Sequence, residues 1–205
     1  GAFLIVVLWP GAAIVEAGCN PSLRRVLRDA VPIAARRAAV RRRVCDGSPL
    51  PAPESLLFRL GVAYPTHAEI AGVGVGAVRY CHFSTGAFVE PITAWEPERR
   101  LAFDVVESPR PLTELSPWPI EPPHLDGYLV PRAGEFRLID LGDHTRLEGS
   151  TWYEQRLRPE GYWVIFSDFI ISTIHARVLE HIRLESETDA VVSAVGSLKS
   201  VAKRL

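Results

Sequence analysis

From residue 66 onward, apolar and polar residues alternate in short segments that are separated by turn residues. A period of two is typical of antiparallel strands with one buried face. Two connections, Ser84-Thr85-Gly86 and Gly142-Asp143-His144, are short enough to form hairpins. The pattern therefore predicts a meander of six strands, at residues 67–72, 77–85, 87–95, 100–107, 135–141 and 145–156.

After the last of these strands, the period of the apolar residues changes to three and four. Trp163, Phe166 and Ile170 begin a series that continues at residues 174, 178 and 182, and no proline or glycine occurs in 162–187. This pattern predicts one long helix whose apolar stripe packs against the sheet. Near the start of the chain we expect a strand at residues 27–34 and short helices at residues 40–45 and 53–60.

A proline-rich stretch separates the fourth and fifth predicted strands of the meander. Residues 106–134 hold seven prolines together with several large apolar side chains. Long ordered loops of this kind are often binding loops or lids. We expect residues 109–131 to close over the sheet. The distinctive polar cluster of this loop, residues 124–128 (HLDGY), also fits an ordinary turn, because Asp126-Gly127 is favourable turn chemistry.

The N-terminal residues are apolar and are followed by a basic block. Glu16 is the only charged residue before Arg24. Such a segment suits the end of a transmembrane helix, although Pro10-Gly11 interrupts it, and a buried strand or an export signal is an alternative. Residues 24–43 then carry eight arginines against one acid, Asp29. We therefore expect a membrane-associated protein whose domain lies on the cytoplasmic side, with a cytoplasmic protein as the alternative.

The chain thus divides into three parts. Residues 1–21 form the apolar segment, residues 22–187 form one domain, and residues 188–205 form an amphipathic tail. A composition of 47% hydrophobic and 23% charged residues is that of an ordinary globular protein. The basic block lacks the signatures of nucleic-acid-binding modules, so we expect no nucleic-acid partner.

No cofactor or metal ion is predicted from the motifs. The three cysteines are far apart, which excludes a disulfide framework and a zinc ribbon. The six histidines lack metal-ligand spacing. The glycines at 72, 74 and 76 are followed by a strand rather than a helix, so they do not form a dinucleotide fingerprint.

Four segments carry a resemblance to a known superfamily: VGVGAVRYCHFSTGAFVEPITAWEPERRLAFDV (73–105), PPHLDGYL (122–129), GEFRLIDLGDHTRLEGSTWYE (134–154) and YWVIFSDFIISTIHARVLEHI (162–182). With the predicted order of elements, they resemble the START-like superfamily (SRPBCC, or Bet v 1-like), in particular a bacterial branch of polyketide cyclase/dehydrase and lipid-transport proteins. The resemblance implies an α+β helix-grip fold, in which a curved antiparallel β-sheet wraps around a long C-terminal α-helix. Such a fold does not by itself define a function.

In a helix-grip fold, the sheet and the long helix enclose a mostly apolar cavity in which a few polar groups orient the ligand. We predict that the ligand-binding residues come from the strands, the loop and the helix. Cross-strand ion pairing is the alternative role for the charged ones. The candidates are Arg79, Glu90, Arg137, Glu148 and Tyr153 on strands, Trp118, His124 and Tyr128 in the loop, and Trp163, Phe166 and Ile170 on the helix.

His175 is a candidate catalytic residue. It borders the apolar stripe of the helix, and an unperturbed imidazole titrates near neutral pH. It could act as a general base, but a structural histidine with satisfied hydrogen bonds is the alternative. We expect a protein that binds or carries a hydrophobic small molecule, such as a lipid, an isoprenoid or a polyketide-like compound, near a membrane. The alternative is a cyclase or dehydratase that acts on a polyketide-like substrate.

Overall fold

Seven antiparallel strands form one curved sheet in the computed structural model, which describes residues 23–113 and 129–202. A helix of 43 residues packs against this sheet. These features confirm the predicted α+β helix-grip fold. The strands are β1 (Leu23–Ile33), β2 (Pro65–Ala71), β3 (Val78–Phe83), β4 (Gly86–Glu96), β5 (Arg100–Asp104), β6 (Leu129–Asp140) and β7 (Thr145–Gln155), and the helices are α1 (Arg37–Asp46), α2 (Leu56–Arg59) and α3 (Glu160–Ala202).

The strand order is β1-β7-β6-β5-β4-β3-β2, so the first strand pairs with the last one. The strands from β2 to β7 follow one another as a meander, as the alternation predicted. Three register shifts, at Pro65/His67, Ile92/Ala94 and Pro131/Ala133, interrupt the pairing. Such irregularities bend strands and increase their twist, and they contribute to the curvature that lets the sheet surround a helix.

The main core lies between the concave face of the sheet and the helices α1 and α3. Alternation along β7 identifies this face, because Leu147 and Tyr153 are 0–1% exposed, and Gly149 lies beneath Leu179 of α3. Helix α1 contributes Val40, which is fully buried. Burial of this apolar surface is the main favourable contribution to folding.

Several element boundaries differ from the sequence predictions. Strand β1 begins at Leu23 rather than at residue 27, and β6 begins at Leu129 rather than at residue 135. Part of the predicted lid is therefore strand, and residues 114–128 lie outside the described residues. Helix α3 continues to Ala202, so the boundary that we placed at residue 187 falls inside one continuous helix.

The predicted stripe of α3 faces the sheet from Ile170 to Ile182 but not at its start. Phe166 was expected to pack against the sheet, but it is 45% exposed, whereas Val164, Ile171 and Leu179 are buried. The reason is geometric. A step of four residues advances about 40° beyond a full helical turn, so a stripe built on repeated steps of four winds around the helix.

Candidate functional site

A cavity of about 430 Å³ lies between the concave face of the sheet and α3. Most of its lining is apolar. The sheet contributes the rings of Phe88 and Phe103, and the helix contributes Ile171, Ile174 and Val178. Gly134 on β6 and Gly149 on β7 also line the cavity, and the absence of a side chain there lets the Phe103 ring pack on Gly134 and Leu179 pack on Gly149.

A buried ion pair forms one polar part of the lining. Arg79 on β3 and Glu90 on β4 are direct cross-strand partners, and Arg79 Nη1 donates a hydrogen bond to Glu90 Oε2. Each side chain is only 7% exposed. The Arg79 guanidinium carbon lies 4.9 Å from the centroid of the Phe103 ring, a cation–π contact. Arg79 Nε has no hydrogen-bond partner among the described residues.

Burial and charge act in opposite directions on this pair. Burial raises the pKa of Glu90, and the attraction of Arg79 partly offsets that effect. Burial acts to lower the pKa of Arg79, but Glu90 and the neighbouring Cys81 outweigh it, so the pKa of Arg79 is raised. The pKa of the Cys81 thiol rises to about 11 because of burial, so this thiol is protonated at neutral pH. Arg79 therefore remains a cation inside an apolar wall.

A chain of hydrogen bonds forms a second polar part, and it joins α3 to both β1 and β7. His175 Nδ1 lies 2.8 Å from Asp29 Oδ2, and His175 Nε2 lies 2.7 Å from Thr151 Oγ1. The Ser172 hydroxyl donates to both carboxylate oxygens of Asp29, at 3.0 and 3.1 Å. We call Asp29, His175 and Thr151 the relay. Of its members, His175 and Thr151 line the cavity.

The carboxylate of Asp29 determines the tautomer of His175. An ionised carboxylate only accepts hydrogen bonds, so Nδ1 carries the proton and donates it to Asp29. In the neutral ring, Nε2 is then an acceptor, and the Thr151 hydroxyl donates to it. Burial lowers the pKa of His175, although Asp29 acts in the opposite direction. The ring is therefore neutral at pH 7, and Thr151 Oγ1 retains its lone pairs as acceptors.

Tyr153 forms a third polar group in the cavity wall. Its hydroxyl donates to Asp168 Oδ1 on α3, and Arg25 Nη2 donates to Asp168 Oδ2 at 2.9 Å. Burial and the neighbouring carboxylate raise the pKa of Tyr153, so its phenol stays protonated. Because its hydroxyl already donates to Asp168, Tyr153 acts mainly as a structural link between β7 and α3.

The predicted site residues fall into three groups. The cavity brings together Arg79, Glu90, Tyr153, Ile170 and His175, and their roles in ligand binding stay predictions. Three other candidates, Trp118, His124 and Tyr128, lie outside the described residues. The remaining four, Arg137, Glu148, Trp163 and Phe166, do not line the cavity.

Strand alternation explains why the two charged residues of the last group, Arg137 and Glu148, do not line the cavity. Arg137 lies between Phe136 and Leu138, which face the core, so its own side chain points outward and pairs with Glu135 at 3.0 Å. Glu148 likewise pairs with Arg146 at 3.1 Å. Trp163 and Phe166 contact each other edge to face, with ring centroids 6.2 Å apart.

Sequence reasoning did not assign Asp29, Thr151 or Asp168 to the site. The sequence contained a signal for the first two of these residues and none for Asp168. Asp29 is the one acid in the arginine-rich block, and Thr151 shares a strand face with Tyr153. Within residues 23–113 and 129–202, no group of histidine, cysteine, aspartate and glutamate side chains could hold a metal ion.

The curved sheet, the long helix and the cavity between them form a helix-grip fold, which is the fold that the sequence resemblance implied. No protein-family model matches the chain, and no curated protein matches it either. Solved structures do. The aromatase/cyclase Zhui from Streptomyces sp. R1128 superposes with a TM-score of 0.53 at 14% identity, covering 80% of this chain and 94% of that chain.

Two further solved structures have similar scores. The di-domain aromatase/cyclase BexL from the BE-7585A biosynthetic pathway gives a TM-score of 0.53 at 14% identity, covering 84% of this chain and 53% of that chain. Protein NE0264 from Nitrosomonas europaea gives 0.51 at 11% identity, covering 81% and 96%. At these identities the likeness establishes the fold.

Proposed function

We propose that this protein binds a hydrophobic small molecule that carries oxygen atoms, in the cavity between the sheet and α3. The cavity itself carries the proposal. Its volume of about 430 Å³ lies within the range of small-molecule sites, and its wall is mainly apolar with a few polar groups. A lipid, an isoprenoid and a polyketide-like compound all fit this description.

The polar groups narrow the chemistry of the ligand. The Nε–H of Arg79 lacks an acceptor among the described residues, and a buried charged donor without a partner is costly. Because Arg79 lines the cavity as a cation, a carbonyl or carboxylate oxygen of the ligand would be attracted to its guanidinium. Thr151 Oγ1, which already donates to His175, would accept a hydrogen bond from a ligand hydroxyl. The aromatase/cyclase names of two structural neighbours favour a polyketide-like compound among the alternatives.

Native mass spectrometry of the protein purified from cells tests this proposal. We expect a copurified small molecule in the spectrum. Ile174→Trp should displace it, because Ile174 lines the cavity. Ala176→Trp introduces the same ring two residues away on an exposed part of α3 and should leave the occupancy unchanged. Equal occupancy in the two variants, or a spectrum without any ligand after purification under mild conditions, contradicts the proposal.

A second candidate function is a cyclase or dehydratase acting on a polyketide-like substrate, and the relay is the observation that favours it. A proton from an acidic O–H or C–H group of the substrate would move to Thr151 Oγ1 while the Thr151 proton moves to His175 Nε2. The substrate then holds the electron pair as an enolate or alkoxide, and Asp29 stabilises the imidazolium. No further reactant is needed for this step, which is general base catalysis through a hydroxyl.

Hydrogen–deuterium exchange of a β-ketothioester tests this second function directly. In D₂O, NMR follows the exchange of the α-protons of acetoacetyl-N-acetylcysteamine. If the relay is catalytic, the protein accelerates the exchange, and His175→Gln lowers that acceleration by roughly 10²–10⁴-fold. Thr151→Val should have a similar effect, whereas Thr151→Ser should retain the activity. An exchange rate equal to that in buffer rules out proton abstraction from this class of substrate.

A further inference from the structure

Arg110 is the exposed charged residue of the cavity lining. It belongs to residues 108–111, which follow β5 and form part of the cavity wall. The charged residues Arg79 and Glu90 of the same lining are buried and paired with each other. Arg110, in contrast, forms no ion pair with the described residues. An uncompensated cation therefore lies at the rim, where the cavity meets the solvent.

The segment that carries Arg110 is held in a fixed position. The Thr85 hydroxyl donates a hydrogen bond to the carbonyl oxygen of Arg110 at 2.7 Å, and the Ala63 N–H donates to the carbonyl oxygen of Pro111 at 2.9 Å. Pro109 and Pro111 flank Arg110, and the ring of a proline restricts the backbone. A preorganised backbone loses less freedom when a ligand binds, so this rim is built to hold a group in place.

Strand β3 leads from this rim into the cavity. Phe83, Cys81 and Arg79 alternate along the strand and all line the cavity. At about 3.3 Å per residue, Phe83 and Arg79 are roughly 13 Å apart along β3. Phe83 lies at the hairpin that also carries Thr85, the partner of Arg110. The cavity therefore has a cation at its rim, apolar walls behind it and the buried ion pair farther inside.

The charges decide where an anionic group of the ligand would lie. A carboxylate beside Arg79 would also approach the carboxylate of Glu90, whose repulsion offsets the attraction. Arg110 has no such competitor among the described residues, and a guanidinium matches the oxygen atoms of carboxylates and phosphates. We propose, on the basis of the ligand cavity proposed above, that the ligand is an amphiphile. Arg110 binds its anionic end, a carboxylate or a phosphate, at the rim, and the apolar part lies inside.

A displacement assay with the full chain tests the charge and the orientation of the ligand. The uncharged fluorophore N-phenyl-1-naphthylamine reports occupation of the cavity, and decanoate and decanol compete with it near neutral pH. Both competitors have the same chain, so the ratio of their Kd values isolates the effect of the charge. Ile174→Trp fills the cavity and should abolish binding of the fluorophore.

We expect the wild type to prefer decanoate to decanol. Arg110→Gln should lower this preference by roughly 5–10-fold, because a hydrogen bond to a charged group is lost at a site that water partly screens. Arg110→Lys should retain part of the preference. Arg99→Gln is the matched control, since Arg99 is an exposed arginine in the turn between β4 and β5 and does not line the cavity. Added salt should also lower the preference, because the rim is exposed.

An absent preference for decanoate, or an equal loss in Arg110→Gln and Arg99→Gln, overturns the proposal. A preference that survives in Arg110→Gln and resists salt also overturns it, since the acid would then bind at the buried Arg79. A fluorophore that does not bind, or that Ile174→Trp leaves bound, refutes the ligand cavity itself, which separates the two failures. Decyl phosphate is the third competitor: tighter binding than decanoate assigns a phosphate to the natural ligand, and weaker binding assigns a carboxylate.

Discussion

The buried pair of Arg79 and Glu90 makes the strongest prediction about stability. Glu90→Gln keeps the size of the side chain but removes its charge, and it leaves the Arg79 guanidinium as a cation in a site where only 7% of its side chain is exposed. Removing one partner of a buried ion pair typically costs about 3–5 kcal/mol. Since the total stability of a domain is usually about 5–15 kcal/mol, this variant should unfold far more easily than the wild type.

Removing both charges should be less harmful than removing one. In the double variant Arg79→Met with Glu90→Gln, a flexible apolar side chain occupies the space beside the rings of Phe103 and Phe136, which the guanidinium now contacts. We expect the double variant to be more stable than Glu90→Gln by about 2 kcal/mol. Glu148→Gln is the matched control, because its partner Arg146 is 53% exposed and such pairs contribute about 0–1 kcal/mol.

Urea unfolding followed by circular dichroism measures these differences. The comparison includes the wild type, the single variants Glu90→Gln and Arg79→Met, the double variant and the control. The free energy of unfolding should depend on urea concentration with the same slope in all five proteins, which shows that their unfolded states are comparable. A loss below about 1 kcal/mol in Glu90→Gln would refute the reasoning. A double variant whose loss equals the sum of the two single losses would do the same, because it would show that the two charges are not coupled.

Three more predictions concern other parts of the chain. Because burial lowers the pKa of His175, the unfolded chain takes up a proton near pH 6.5 before the folded protein does, so the free energy of unfolding should fall as the pH drops from 7 through the lowered pKa. The difference in the free energy of unfolding between the wild type and His175→Gln should shrink over that range. A difference that stays constant with pH contradicts this prediction. Gly47→Ala should lower the free energy of unfolding by about 1–3 kcal/mol or more in thermal unfolding, because Gly47 has a φ of 60° and a Cβ there would lie 1.5 Å from the Ala68 carbonyl oxygen. Gly142→Ala is the control, since Gly142 has a φ of 84° and no described atom lies within 4 Å of a Cβ there. An equal loss in the two variants would show that the close approach to Ala68 is irrelevant. Deleting residues 1–20 should move the protein from the membrane fraction of a lysate to the soluble fraction, and a full chain that is already soluble without detergent contradicts the expectation.

The elements that rest on local periodicity could be predicted from the sequence. Alternation located the meander, and the change of period located α3, because both signals depend on neighbours within a few residues. The continuation of α3 beyond residue 187 was harder to predict from the sequence. Residues 188–205 have an amphipathic pattern of their own, so they looked like a separate tail, and contacts such as Arg43 with Asp189 at 2.6 Å connect this part of the helix to α1.

Which side chains face the cavity was only partly predictable. Alternation assigns each residue of a strand to one of two faces, and it already implies that Arg137 points away from Phe136 and Leu138. Because the neighbours of an inward residue point outward, the apolar neighbours of Arg137 argue against a place in the cavity. The relay was harder to find, because Asp29 and His175 are separated by 146 residues and meet only when β1 closes against β7 and α3.

The hydrogen bonds of the relay are the physical reason to prefer binding over catalysis. Both ring nitrogens of His175 have partners, and Asp29 accepts hydrogen bonds from Ser172 as well, so the network is complete as a link between β1, β7 and α3. A ligand that donates to Thr151 adds a hydrogen bond without breaking one. Proton abstraction instead requires an imidazolium, which burial disfavours, as the lowered pKa of His175 indicates. A substrate would have to be acidic enough, or its enolate sufficiently stabilised by Arg79, to overcome that cost.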